Sequence, residues 1–78
     1  MNEVAIKVMK LLTEISGNEA IDNPDIKFNR IDNWNSIHHA AFLHELEQTF
    51  GIQFSIDDLI SIESPADVVK IILSHKNG

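Results

Sequence analysis

The sequence predicts a small all-α domain, and three observations support this fold class. Apolar residues recur at spacings of three and four in long segments of the chain. Capping and turn residues stand at the ends of these segments, where helices start and stop. The chain has 78 residues, which is enough for one hydrophobic core and too few for two. We expect a single domain over residues 1–78 with three longer helices, a short third helix and a long first loop.

The first helix is predicted between Val4 and Ile15. Its apolar stripe consists of Val4, Val8, Leu11, Leu12 and Ile15. These positions share one face of a helix. Asn2 can cap the start, because its side-chain oxygen can accept a free N–H group of the first turn. Gly17 is placed to end the helix, since glycine adopts the left-handed conformation of a C-terminal cap without strain.

Residues 18–35 are predicted to form a long loop, because the Asn, Asp and Pro residues in this stretch favour turns. The apolar residues that are expected to anchor the loop on the core are Ile21, Ile26, Phe28, Ile31 and Trp34. A connection of this length in so small a domain is either functional or contains an element that the pattern does not reveal.

The second helix is predicted from Ser36 to Phe50, with Asn35 as its N-cap. At about 100° per residue, its residues separate into two faces. The wide apolar face consists of Phe42, Leu43, Leu46 and Phe50, with Ala40 at its edge. The opposite face carries Ile37, Ala41, His44 and Gln48, flanked by Glu45 and Glu47. Apolar residues on this outward face indicate a contact surface, although isolated exposed apolar residues are also ordinary.

Capping patterns predict two further helices after Gly51, which ends the second. Ser55 with the acidic residues that follow it predicts a short third helix that runs through Ile62. The segment Ser64-Pro65-Ala66-Asp67 predicts the start of the fourth helix, with a capping serine, proline at the first position and a carboxylate at the third. The apolar residues of this helix are Val68, Val69, Ile71, Ile72 and Leu73.

The composition narrows the classes of partner. Twelve acidic against six basic residues give a formal net charge of −6, which disfavours nucleic acid and anionic membrane surfaces and favours basic protein surfaces. No apolar run approaches the roughly 20 residues that span a bilayer, and the N-terminus lacks the pattern of a signal peptide. We therefore expect a cytoplasmic protein. The absence of cysteine excludes disulfides and a protein thiol, so any thiol chemistry would require a borrowed thiol.

The histidines and serines do not indicate an enzyme or a metal site. The histidines are His38, His39, His44 and His75. Those of the second helix lack the spacing of three or four that would place two ligands on one face, so we expect no metal. His39 falls on the apolar side and is expected to be partly buried or to line a cleft. Ser36 with a neighbouring histidine lacks an identifiable third orienting group and an oxyanion element, so we expect no catalysis.

As the first residue of a helix, Ser36 is suited to a different role, the attachment of an anionic group. With Asn35 as the N-cap, the Ser36 hydroxyl would lie beside the positive end of the helix dipole. A phosphate attached to this hydroxyl would be favoured by that dipole and by unpaired N–H groups of the first turn.

Four segments of the chain resemble the acyl carrier proteins and the related peptidyl carriers. The segments are Trp34-Asn35-Ser36-Ile37, residues 46–52, Asp58-Leu59-Ile60 and residues 64–69. The resemblance covers most of the chain and implies a four-helix bundle of the acyl-carrier type. In that family the serine of an Asp-Ser-Leu motif is esterified with 4′-phosphopantetheine, whose thiol carries the acyl group as a thioester. The resemblance therefore implies covalent 4′-phosphopantetheine, taken from coenzyme A, on Ser36.

The resemblance also implies partners. The second helix of the family docks on basic patches of partner enzymes. Carried over, the partner-binding residues are Ile37, Ala41, His44, Glu45, Glu47 and Gln48. The implied partners of the monomer are a phosphopantetheinyl transferase, acyl-loading enzymes, and acyl-transfer or condensing enzymes. For a long acyl chain, core residues of the second to fourth helices would part to admit it, namely Leu43, Leu46, Leu59, Ile62 and Val68.

Two departures from the family pattern bear on this function. Asn35 replaces the aspartate of the motif, which preserves the helix cap but removes a charge that the transferase or its magnesium could use. The docking face is also less acidic, since it carries Ala41, His44 and Gln48. The alternatives are an aminoacyl or peptidyl carrier and an interaction domain that is never modified. The sequence does not distinguish fatty-acid, polyketide and nonribosomal pathways.

Overall fold

The computed structural model describes residues 2–17 and 23–77, except for the side chains of residues 76 and 77. Its helices are α1 (Glu3–Ser16), α2 (Ser36–Phe50), α3 (Ile56–Ser61) and α4 (Pro65–Asn77), with a short 3₁₀ helix at Phe28–Arg30. The described residues contain no strand. This confirms the predicted all-α fold with a short third helix. None of the described helices is long and apolar enough to span a membrane.

Both predicted ends of α1 are confirmed. The Asn2 side chain accepts the N–H of Ala5 at 2.7 Å. At the other end Gly17 adopts φ 70°, and its N–H donates to the carbonyl of Thr13. These two caps satisfy backbone groups that a helix end otherwise leaves unpaired.

The core is formed where α1 packs against α2 and α4. The largest fully buried apolar side chains of the three helices are Val8, Leu12, Phe42, Leu46, Val68 and Ile72. Most of the predicted stripe of α1 is buried, and Ala5 and Met9 join it, while Leu11 and Ile15 are half-buried. Burial of this apolar surface is the main stabilising contribution to the fold.

The long first loop contains the 3₁₀ helix, which the sequence pattern did not reveal. Phe28 begins it and donates its N–H to the carbonyl of Glu63 at 3.0 Å. In the reverse direction, Ala66 donates its N–H to the carbonyl of Pro24 at 2.8 Å. The loop is therefore fastened by its backbone to the connection between α3 and α4 and to the first turn of α4.

The predicted anchors of this loop are found where the structure describes them. Phe28 and Ile31 are buried, and Ile26 and Trp34 are half-buried against the core. The fifth expected anchor, Ile21, lies outside the described residues. The anchors place the end of the loop, and with it the start of α2, against the core.

The short helix α3 has the predicted start but a different role in packing. Ser55 and Asp58 form a capping box, in which each side chain accepts the backbone N–H of the other residue. The helix ends at Ser61, one residue before the predicted end, and Ile62 is buried. The expectation that Leu59 belongs to the core is wrong, because α3 buries none of its own residues.

The start of α4 follows the predicted pattern. Pro65 is the first helical residue, and the carboxylate of Asp67 accepts the N–H groups of Glu63 and Ser64 at 2.9 and 3.1 Å. A carboxylate in this position is also favoured by the helix dipole. Further along α4, Nε2 of His75 lies 3.4 Å from Oδ2 of Asp58, which joins α4 to α3. The hydrogen bond from the Ser55 N–H is the main cause that lowers the pKa of the Asp58 carboxyl, and the interaction with His75 lowers this pKa further.

Candidate functional site

The start of α2 is determined by Asn35. Its backbone is extended, and its side-chain oxygen accepts the N–H groups of Ile37 at 2.9 Å and His38 at 3.1 Å. Ser36 is consequently the first helical residue, and it is exposed. The sequence-based prediction of the cap and of the helix start at Ser36 is confirmed.

His38 completes the cap in a way that sequence reasoning missed. Its Nδ1 lies 3.3 Å from the Asn35 nitrogen and accepts that N–H, which gives a capping box. This position usually carries Glu or Gln. A histidine at the third helical position after a capping residue was the available signal. As a result, the first turn of α2 contains no acidic residue.

The backbone N–H groups around Ser36 are more fully used than expected. Those of Asn35, Ile37 and His38 bind side chains. The N–H of His39 donates to the carbonyl of Asn35 at 3.0 Å. Within the described part of the chain, the Ser36 N–H is the one amide of this turn without a partner. An anion at Ser36 would therefore meet the helix dipole and a single free amide rather than a cluster of amides.

An aromatic cluster surrounds the approach to Ser36. Trp34 stacks on Phe28 with ring centroids 5.5 Å apart and on His38 with centroids 5.7 Å apart. Trp34 and Phe42, in the core, also form an edge-to-face pair with ring centroids 5.7 Å apart. Such contacts add to the stabilisation from buried area. They join the loop to α2 directly beside the serine.

His39 lies one turn inside α2 and is part of the same cluster. The indole Nε1–H of Trp34 donates to its Nδ1 at 3.3 Å. A neutral imidazole that accepts at Nδ1 carries its proton on Nε2. Burial lowers the pKa of His39 below its usual range, which favours this neutral form. The expectation that His39 is partly buried and lines a cleft is confirmed.

A groove of about 400 Å³ lies between α2 and α3 and begins at Ser36. Its lining residues are Ser36, His39, Ala40, Leu43, His44, Glu47, Phe54 and Leu59. Ala40, predicted at the edge of the apolar face, is exposed and faces this groove. The exposed position of Leu59 has the same explanation, because its side chain forms a wall of the groove. Ser36 is therefore one of the lining residues of a largely apolar groove.

The predicted partner-binding residues are mostly on the surface. Ile37, Ala41, His44, Glu45 and Gln48 are exposed. Glu47 differs, because it is half-buried and its carboxylate accepts the N–H of Phe54 at 2.8 Å. That bond ties the end of α2 to the segment before α3. The binding role of these residues stays a prediction.

Within residues 2–17 and 23–75, whose side chains the structure describes, no group of three or more His, Asp or Glu residues could hold a metal ion. Of the histidines, His38 and His39 are engaged with the aromatic cluster, and His75 faces Asp58.

Comparison with known families adds an observation that geometry cannot supply. The family model described as the phosphopantetheine attachment site matches residues 6–72. The chain belongs to this family of carrier domains. No curated protein and no solved structure matched the chain. The family binds 4′-phosphopantetheine covalently, and the carrier domain has the all-helical bundle expected for it.

The residues of the carrier domain fit this prosthetic group. An exposed serine hydroxyl at a helix start is available for a phosphodiester, and the helix dipole favours the negative charge. The groove beside it offers apolar walls. The sequence has no cysteine, so a thiol at this site would come from the prosthetic group.

Proposed function

We propose that this carrier domain holds acyl intermediates as thioesters on a 4′-phosphopantetheine arm attached to Ser36. It would present them to separate enzymes in the cytoplasm without catalysing a reaction itself. The match to the phosphopantetheine attachment family carries this proposal. The bound group would supply the thiol that forms the thioester. The chain would supply the serine oxygen, its fixed position at the helix start and the adjacent groove.

The surroundings of the other serines support the choice of Ser36. Ser64 is buried. The hydroxyl of Ser55 accepts the N–H of Asp58, and the hydroxyls of Ser61 and Ser16 donate to backbone carbonyls. Ser74 is exposed, but it lies in the C-terminal part of α4, where the helix dipole disfavours a phosphate. Ser55 is also exposed at a helix start, but its hydroxyl is engaged in the cap of α3, so Ser36 is the exposed serine at a helix N-terminus that does not serve as a cap.

Mass spectrometry tests the proposal. Incubation of the purified chain with coenzyme A, magnesium and a phosphopantetheinyl transferase should increase its mass by one phosphopantetheine. An unchanged mass after trials with several transferases would contradict the carrier function.

One observation favours a second candidate, an interaction domain that is never modified. No carboxylate stands beside Ser36, because the capping residue is Asn35, where the family motif has aspartate, and the first turn of α2 contains no acidic residue. A protein that is recovered from its own cells without the prosthetic group, and stably bound to a partner, would support this alternative.

Replacing Asn35 by aspartate should accelerate the modification of Ser36. The carboxylate would accept the same two N–H groups and would add a charge that can hold the transferase's magnesium. A negative charge at this helix start should also stabilise the fold by about 0.3–1 kcal/mol. The measurements are kcat/KM for the transferase and unfolding in urea.

The matched control is Asn35→Ser, which retains a capping oxygen without the charge. If the aspartate variant were modified no faster than the serine variant, the missing charge would have no role in recognition.

A further inference from the structure

His39 is held by a hydrogen bond that accepts only its neutral form. The indole Nε1–H of Trp34 donates to Nδ1 of His39 at 3.3 Å, and this is the one side-chain hydrogen bond that the described residues give to His39. An indole nitrogen donates and does not accept, so Nδ1 must be free of a proton. A proton on Nδ1 would place two N–H groups against each other and break the bond.

The neighbouring His38 differs, because its ring has an acceptor within reach. Its Nδ1 lies 3.3 Å from the Asn35 nitrogen and 3.0 Å from Oδ1 of the same residue. A proton on this nitrogen could therefore be donated to Oδ1, and a bond within the cap would remain. The contact of this turn that a proton breaks without replacement is the one between Trp34 and His39.

The charged and titratable groups around His39 offer little compensation for a positive imidazole. Lys27 of the loop and Glu63 before α4 line one cavity with it, and Nζ of Lys27 lies 3.7 Å from Oε2 of Glu63. His44 and Glu47, on α2 itself, line the groove with it, and the Glu47 carboxylate already accepts a backbone N–H. Among the described side chains no carboxylate forms an ion pair with His39. The dipole at the start of α2 also disfavours a cation there.

Trp34 couples this bond to the start of α2. It directly precedes Asn35, whose side chain caps the helix that begins at Ser36. Its ring also stacks on Phe28 of the 3₁₀ helix. These residues line a cavity of about 310 Å³ together with Ser36 and His39. Release of the indole would therefore free the residue that stands before the cap.

We propose that the bond between Trp34 and His39 is an acid-sensitive lock on the turn that bears Ser36, and that protonation of His39 opens this lock. Its importance for the carrier rests on the proposed attachment at Ser36, whereas the lock itself is a property of the bare chain.

The direction of the pH dependence follows from the burial of His39. Burial lowers the pKa of this histidine in the locked form, so the open form takes up a proton more readily. The lock is therefore fully stable above about pH 6.5, the ordinary pKa of histidine, and loses stability as the pH falls below that value. Because one proton is involved, the ratio of open to locked molecules rises at most about tenfold per pH unit.

NMR of the bare chain tests the lock. The indole proton of Trp34 exchanges with water when the bond is open, and its resonance is unique because the chain has a single tryptophan. The exchange rate in the wild type is divided by the rate in His39→Gln, since glutamine accepts a hydrogen bond and does not titrate. This ratio should rise about threefold to tenfold from about pH 7.5 to 5.5. The amide protons of Ile37 and His38, which bind the cap, should show the same rise.

The matched control is His44→Gln, which replaces an exposed histidine of the same helix. This variant should show the pH dependence of the wild type. If His39→Gln does not fold, the wild type alone decides. Its indole resonance should then shift with the same midpoint as the ring protons of His39, and a different midpoint would contradict the lock.

Three results would overturn the inference. The ratio could stay constant over this pH range, or the rise could be lost in His38→Gln, which would assign it to the other histidine. The indole could also respond without the amides of Ile37 and His38, which would confine the change to the side chain of Trp34. In each case a mass gain with coenzyme A and a transferase would leave the carrier function standing. A chain that gains no mass but shows the rise would retain the lock and refute its role at an attachment site.

Discussion

Replacing Ser36 by alanine should abolish the addition of phosphopantetheine while leaving the fold intact. The modification needs a hydroxyl oxygen, and alanine removes it. Because Ser36 is exposed and occupies the first turn of α2, a small residue with high helix propensity is tolerated there. Asn35 still caps the helix, since its side chain binds backbone groups and not the serine. The readout is the intact mass after incubation with coenzyme A and a transferase.

The matched control is Ser74→Ala, which removes another exposed serine from the same domain. This variant should gain one phosphopantetheine at the wild-type rate. If Ser36→Ala still gained the group, or if Ser74→Ala lost it, the attachment site would be elsewhere in the chain.

Phe42→Ala should strongly destabilise the fold. Phe42 is fully buried. The centroid of its ring lies 5.8 Å from that of Phe28 and 5.7 Å from that of Trp34. Truncation of a buried phenylalanine costs about 3–5 kcal/mol. A domain of this length has a total stability of about 4–12 kcal/mol. The substitution therefore removes a large share of the free energy of unfolding and should lower Tm by about 12 °C or more.

The effect of Phe42→Ala can be followed by the fluorescence of Trp34, the single tryptophan of the chain. Phe50→Ala is the matched control, because Phe50 belongs to the same helix but is only half-buried. It should cost clearly less stability. Equal losses for the two variants would show that the contacts of Phe42 with the aromatic cluster do not hold the loop to α2.

Elements determined by local chemistry could be predicted from the sequence. The start of α2 follows from Asn35, whose side chain reaches backbone groups only two and three residues away. The same applies to the caps at Asn2, Gly17 and Ser55. Because the cap places Ser36, the position of the candidate attachment residue at the helix start could be predicted without knowledge of the tertiary structure.

Features that depend on packing between distant segments could not be predicted. The 3₁₀ helix at Phe28–Arg30 is too short for a hydrophobic period, and its first N–H binds Glu63, far along the chain. In six-residue α3, the pattern does not determine which face is buried, so the sequence favours a core position for Leu59, although this residue forms a wall of the groove.

The surroundings of Ser36 combine both kinds of information. The sequence indicated a half-buried His39, but its bond with Trp34 depends on how the loop folds back on α2. The role of His38 in the cap was accessible in principle, since it is local. It was missed because histidine is not a usual capping-box residue.

The intact mass of the protein isolated from its own cells tests the carrier function most directly. We predict a mass higher than that of the bare chain by one phosphopantetheine, with or without an acyl group, and fragmentation that assigns the addition to Ser36. A protein found wholly at the mass of the unmodified chain, or modified at another residue, would contradict the proposed function.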